Sequence, residues 1–137
     1  MADNKRYNVA AIGNAMLDVL CEVPELFLDQ EEISKGVMNL VSRERSNNIL
    51  KLVTPIKETA GGSAANTIST LAKLDLKTGY IGKIADDEKG KIFKKDLIDD
   101  SIIYKTEFLE KNNSESTGKC IVLITPDKER TMNTYLG

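Results

Sequence analysis

The sequence predicts an α/β fold: a layered sheet covered by helices, joined to a second, smaller sheet. Two patterns predict it. Strand-like and helix-like segments alternate through the middle of the chain, as layered α/β sheets require. Other strand-like segments, drawn from about 17–23, 36–41 and 105–136, do not alternate with helices and are assigned to the smaller sheet. Apolar residues at 41% and charged residues at 29% of 137 are ordinary for a soluble globular protein.

Each element has a local reason. Tyr7 to Gly13 holds the apolar run Val9-Ala10-Ala11-Ile12 before a glycine and reads as a short buried strand. Leu17 to Val23 is rich in strand formers, Pro24 to Gln30 suits a helical turn, and Val37 to Val41 reads as a strand. Ser42 is a suitable N-cap for a helix reaching Val53, with Ile49, Leu50 and Val53 apolar. From Ala64 to Leu74, Ala65, Ile68, Leu71 and Ala72 fall on one helical face. Thr78 to Ile84 reads as a strand. Asp86-Asp87-Glu88 then places negative charge at the positive end of a helix over about 89–98, with Ile92, Phe93 and Leu97 inward. Three strands follow at 104–109, 118–125 and 131–136, separated by Lys111-Asn112-Asn113-Ser114 and by the turn Pro126-Asp127-Lys128. The chain stops at Leu136-Gly137, directly behind a strand. A parallel sheet this small would leave an open edge, so a further half of the fold is expected outside these residues.

Composition excludes several functions. A net charge of −2, with Lys89, Lys91, Lys94 and Lys95 set among acids, gives no electrostatic footprint for nucleic acid or an acidic membrane. The absence of histidine removes the usual zinc sites and histidine triads, and no metal-ligand set is assigned. Met1 to Arg6 is polar with no apolar signal core behind it, and no apolar run approaches the length of a membrane span. Cys21 and Cys120 read as reduced, partly buried thiols, and the expected compartment is the cytoplasm.

Two motifs carry the chemistry. In Ala60-Gly61-Gly62-Ser63-Ala64-Ala65-Asn66-Thr67, two glycines let a strand-to-helix bend approach a ligand without a Cβ in the way. The helix start offers free N–H groups, and Asn66, one turn in, can donate to and accept from a hydroxyl. Asn66 stands where a dinucleotide fingerprint needs its third small residue, and no Gly-Lys-Ser/Thr follows as a phosphate loop would need. Hydroxyl recognition fits better than phosphate cradling. In Gly13-Asn14-Ala15-Met16-Leu17-Asp18, behind the first strand, Asp18 is a lone acid whose two oxygens can accept from adjacent hydroxyls. The bland alternatives are a tightly packed Gly-Gly turn and a solvated turn acid.

With Gly79-Tyr80-Ile81-Gly82-Lys83-Ile84-Ala85-Asp86-Asp87-Glu88-Lys89-Gly90, these motifs resemble, in order and spacing from Tyr7 to Gly137, the ribokinase-like or PfkB carbohydrate kinase family, on its adenosine kinase branch. The resemblance implies a ribokinase-like three-layer α/β sandwich, incomplete over these residues, with a small β-sheet lid. Residues 1–137 would be its N-terminal part. It implies ATP-dependent phosphorylation of a hydroxyl on a sugar or nucleoside, adenosine- or ribose-like, with ATP and Mg2+ bound mainly elsewhere. Asp18 would hold sugar hydroxyls with Gly61, Gly62, Ser63 and Asn66; Asn14 would touch the far side of the substrate. Leu40 would be an apolar contact, Arg130 would reach the transferring phosphoryl group, and the lid strands offer a homodimer contact. The family's Gly-Ala-Gly-Asp anion hole, with its catalytic aspartate, and its Asn-x-x-Glu element have no counterpart here. These residues alone are therefore expected to be inactive. The alternative is a non-catalytic nucleoside- or sugar-binding module.

Overall fold

The computed structural model describes residues 7–110 and 115–137. The polar start, Met1 to Arg6, and the turn expected at 111–114 lie outside the described residues. In chain order the elements are β1 (Val9–Ile12), β2 (Met16–Glu22), α1 (Glu25–Gln30), β3 (Met38–Leu40), α2 (Arg43–Leu52), β4 (Lys57–Gly61) and α3 (Ser63–Lys73). Then follow β5 (Thr78–Ile81), α4 (Glu88–Asp99), β6 (Ile103–Tyr104), β7 (Gly118–Ile124) and β8 (Arg130–Tyr135). Two sheets result: a parallel one in the order β1-β5-β6, and a mixed one in the order β3-β8-β7-β2-β4.

The core lies against one face of the mixed sheet. Leu17, Val19, Ile121 and Leu123 are fully buried there with Ile49 of α2, Ile68 of α3, and Phe93 and Leu97 of α4. The period of two along β2 and β7 places these residues on one side of the pleat. Tyr80, Phe93 and Tyr104 join the parallel sheet to α4, with ring centroids 5.8, 6.2 and 6.1 Å apart. Burial pushes both tyrosine hydroxyls up to about 12, so they remain donors. Tyr80 Oη donates to Gly13 O at 3.0 Å and Tyr104 Oη to Gly82 O at 2.7 Å, which fixes the loops at the C-terminal ends of β1 and β5.

Two elements depart from the sequence reading. Residues 57–61, to which no strand was assigned, form β4. Lys-Glu-Thr-Ala-Gly has weak strand preference, and antiparallel pairing with β2, from Met16↔Gly61 to Leu20↔Lys57, decides its state. The strand expected at 104–109 shrinks to Ile103–Tyr104 and joins the three-stranded parallel sheet beside β5. It does not join the sheet of β2 and β3, which was expected to be the smaller and, with β4, β7 and β8, has five strands. The aromatic cluster draws Tyr104 into that layer, and Leu109 N donates to Ile84 O at 2.8 Å, holding the following segment there as well.

Asp87 ties the two sheets together. Its carboxylate accepts from Gly90 N at 2.8 Å, capping α4, and from Thr117 N at 2.9 Å and Thr117 Oγ1 at 2.7 Å, just before β7. Burial pushes its pKa up, but the bonds from Thr117 and Gly90, with Lys119 nearby, outweigh it and hold the carboxyl below its usual value. The ionised form is therefore the one folding favours. Its contribution is present above the unfolded pKa of 3.8 and is lost as pH falls through the lower folded value. Asp87→Ala is expected to cost about 2 kcal/mol, the sum of a lost cap and an orphaned Thr117 N–H. Urea unfolding at pH 7 and at pH 3 checks this: the gap between parent and variant should narrow at the lower pH.

Candidate functional site

The second face of the mixed sheet carries the predicted acid. Register places Leu40, Thr134, Cys120, Asp18 and Thr59 in one row across five strands. The next row reads Met38, Met132, Val122, Leu20 and Lys57. Cys120 and Val122 are buried but stand outside the core cluster, while Leu40 is 65% and Met132 38% exposed. This face is therefore open and apolar, with one carboxylate near its β4 end. Asp18 lies within β2, inside the strand-forming stretch read at 17–23, and is not a solvated turn acid.

Backbone geometry binds Asp18 to the double-glycine bend. A Cβ on Gly61 would lie 2.2 Å from Asp18 Cγ and 2.2 and 2.4 Å from its two oxygens. The carboxylate thus occupies the space a side chain at Gly61 would fill. Gly62 has φ of 92°, and a Cβ there would lie 2.8 Å from Asn14 O. Gly62 is also the N-cap of α3, so no side chain covers the first N–H groups of the helix. Asn14, Ser63 and Asn66 are exposed around the same bend, with Asn66 N donating to Gly62 O at 2.9 Å. Segments 13–18 and 61–66 therefore meet. A cavity of about 260 Å3 opens beside Asn14, bounded by Lys83, Glu115, Ser116 and Leu136. Another, of about 440 Å3, lies at the opposite end of β2 and β7 among Glu22, Pro24 and Pro126, remote from Asp18.

Burial raises the Asp18 pKa, and no group of three or more His, Cys, Asp or Glu side chains occurs among the described residues that would hold a metal ion. No residue here is assigned to Mg2+. Cys120 sits beside Asp18 in the row; Thr134 Oγ1 donates to its Sγ at 3.4 Å. Burial raises the thiol's pKa, only partly offset by Thr134, and Asp18 raises it further, so Cys120 stays a neutral thiol. Both cysteines are free and buried. Thr134 and Met132 were not singled out in the sequence, and Cys120 only as a reduced thiol. They belong to the face only through strand register, which local patterning does not show.

Two predicted residues stand apart from Asp18. Leu40 shares its row but lies three strand spacings away, about 14 Å. Arg130 opens β8 opposite Ile124, exposed and four residues from Thr134, about 13 Å along the strand. It marks the far end of the same face. No helix among the described residues is long and apolar enough to cross a membrane.

An α/β layer thus bears a second sheet, with a carboxylate laid on a double-glycine bend at a helix start. In comparison with known proteins, residues 8–137 match the pfkB family carbohydrate kinase, and the chain belongs to that family. An adenosine kinase from Sinorhizobium meliloti superposes with a TM-score of 0.86 at 37% identity, over 97% of this chain and 40% of that one. A ribokinase of Arabidopsis thaliana is 25% identical over 124 residues, 90% of this chain and 28% of its own length. A 5-dehydro-2-deoxygluconokinase of Listeria monocytogenes is 33% identical over 104 residues, 65% of this chain and 31% of its own. The chain thus spans under half the length of these relatives, and its fold is the ribokinase-like fold of the adenosine kinases.

Proposed function

We propose that the complete protein is an ATP-dependent kinase acting on a primary hydroxyl of a nucleoside, and that these residues supply its acceptor-binding part. Relatives in the family divide between nucleoside and sugar acceptors, and the open face favours the first. Asp18 offers two acceptor oxygens for adjacent ring hydroxyls. In the next row run Leu20, Val122 and Met132, with Leu40 at the far edge of the face, a surface suited to a flat apolar base. A free sugar, hydroxylated all round, would leave these side chains against polar groups with nothing gained. That juxtaposition of one carboxylate with an apolar row carries the reading.

Asp18 and Asn66 would fix the ribose-like ring, and Asn14 its far side. The α3 N–H groups left open at Gly62 would meet substrate oxygen, and Arg130 the phosphoryl end. ATP supplies the phosphoryl group. The base that accepts the hydroxyl proton, and the anion hole, would come from the rest of the complete protein.

A panel of adenosine, guanosine, ribose and fructose on the complete enzyme tests this. A nucleoside is expected to exceed both sugars in kcat/KM by about a hundredfold, because hydroxyl-reading and apolar contacts would both be met. Removing a ring hydroxyl, as in 2′-deoxyadenosine, is expected to lose a similar factor. A best rate with ribose or fructose would refute the nucleoside assignment. No transfer to any acceptor would refute the kinase.

A further inference from the structure

We infer that Asp96, on α4, is a positioning residue for the double-glycine bend; this rests on the kinase reading for its functional consequence. Strand β4 is an edge strand, paired to β2 on one side only. Its outward N–H groups have no strand to meet. Asp96 Oδ2 accepts from one of them, Ala60 N, at 2.8 Å, directly before Gly61. Two further ties run from the same helix. Lys89 Nζ donates to Glu58 Oε1 at 2.5 Å, earlier in β4. Asp100 accepts from Ser69 Oγ and pairs with Lys73 at 3.3 Å, both on α3.

Helix α4 therefore holds both arms of the bend: the strand that enters it through Glu58 and Ala60, and the helix that leaves it through Ser69 and Lys73. The bend carries no side chain of its own to pack, being two successive glycines, and apart from α4 its ties are the Met16↔Gly61 pairing and the bond from Asn66 N to Gly62 O. Gly61 must stay where the Asp18 carboxylate lies over it, and a displacement of a few tenths of an ångström would move the acceptor oxygens relative to the α3 N-terminus. Of the three ties, the Asp96 bond is the only one made to the backbone of the bend's own approach, so it sets the position of Gly61 most directly. It touches no reacting atom. Its effect passes through Gly61 to Asp18.

The test compares Asp96→Ala with Asp96→Asn, whose amide oxygen still accepts from Ala60 N. In the complete enzyme, Asp96→Ala is expected to raise KM for the nucleoside acceptor about tenfold while KM for MgATP stays within twofold; Asp96→Asn should restore the acceptor KM to within threefold of the parent. Hydrogen exchange adds a readout that needs no activity, and its measurement on the parent stands even if the variant fails to fold; in a folded variant the β4 amides bonded to β2 should keep their protection. The Ala60 amide of the parent should exchange as slowly as the β4 amides bonded to β2, and should accelerate at least tenfold in Asp96→Ala. An active parent whose Asp96→Ala variant keeps its acceptor KM within twofold overturns the inference. So does a variant that raises both KM values together, which is general loosening, or a fast-exchanging Ala60 amide in the parent. An inactive parent with a protected Ala60 amide would instead strike at the kinase reading and leave the Asp96 bond supported.

Discussion

Asp18→Ala in the complete enzyme is expected to lower kcat/KM for the acceptor about a hundredfold or more. Two hydrogen bonds from hydroxyls to an ionised carboxylate contribute about 1.5–3 kcal/mol each, and each 1.4 kcal/mol is tenfold. Losing both exceeds the hundredfold mark even at the lower end. The pH dependence follows from the same residue. Burial alone raises the Asp18 pKa above 3.8, so in the folded protein the proton is held more tightly than in the unfolded chain. Ionising Asp18 therefore costs stability as pH rises from the unfolded pKa to the folded one. Hydroxyl donors from a substrate favour the ionised form, so acceptor affinity should weaken as pH falls through the raised value. Acceptor titrations between pH 4 and 8, on parent and Asp18→Asn, read this directly. The parent should lose affinity on acidification, and the amide variant should be weak and flat throughout. A change below fivefold in Asp18→Ala would make the carboxylate a structural feature of β2 and nothing more.

Gly61→Ala should be nearly as damaging to the site while costing the fold less. The added methyl would stand 2.2 Å from Asp18 Cγ, a separation that atoms cannot share. The carboxylate is a side chain at one side of an open face, so it can rotate away, and overpacking of this kind costs about 1–3 kcal/mol. Rotation, however, removes the acceptor oxygens from the bend. The expected result is a fall of about a hundredfold in kcat/KM with a melting temperature lowered by only a few degrees. Gly62→Ala provides the contrast. At φ of 92°, and with Asn14 O 2.8 Å from the new carbon, the strain falls on backbone, which has no rotamer to escape into. Thermal unfolding of the two variants should rank Gly62→Ala as the less stable. Unchanged acceptor kinetics in Gly61→Ala would show that Asp18 does not act from its position over the bend.

Much of the fold was legible from local chemistry. The Ser42 cap sits where the sequence placed it, and the acids at 86–88 stand at the start of α4 as expected; Ser42 and Asp87 each accept from the backbone N–H three residues on. The apolar periodicity of α3 and α4 predicted Ala65, Ile68, Phe93 and Leu97 as inward, and all are buried. Local chemistry failed at β4, a Lys-Glu-Thr-Ala-Gly segment that is a strand only because β2 offers its edge. It failed also at residues 105–109, whose strand-like composition is overridden by the anchoring of Tyr104 and Leu109 to the parallel layer.

The sequence by itself determined the carboxylate and amide of the two motifs, the glycine pair that lets a carboxylate approach a backbone, and the helix that begins behind it. These depend on neighbours within a few positions, which is as far as capping, periodicity and turn chemistry reach. Only the tertiary structure decided which strands lie side by side. Register across β3, β8, β7, β2 and β4 joined Leu40, Thr134 and Cys120 to Asp18 in one row, and packing of α4 brought Asp96 to the Ala60 N–H. Contacts between residues dozens of positions apart arise from burying a shared core, and no local pattern encodes them.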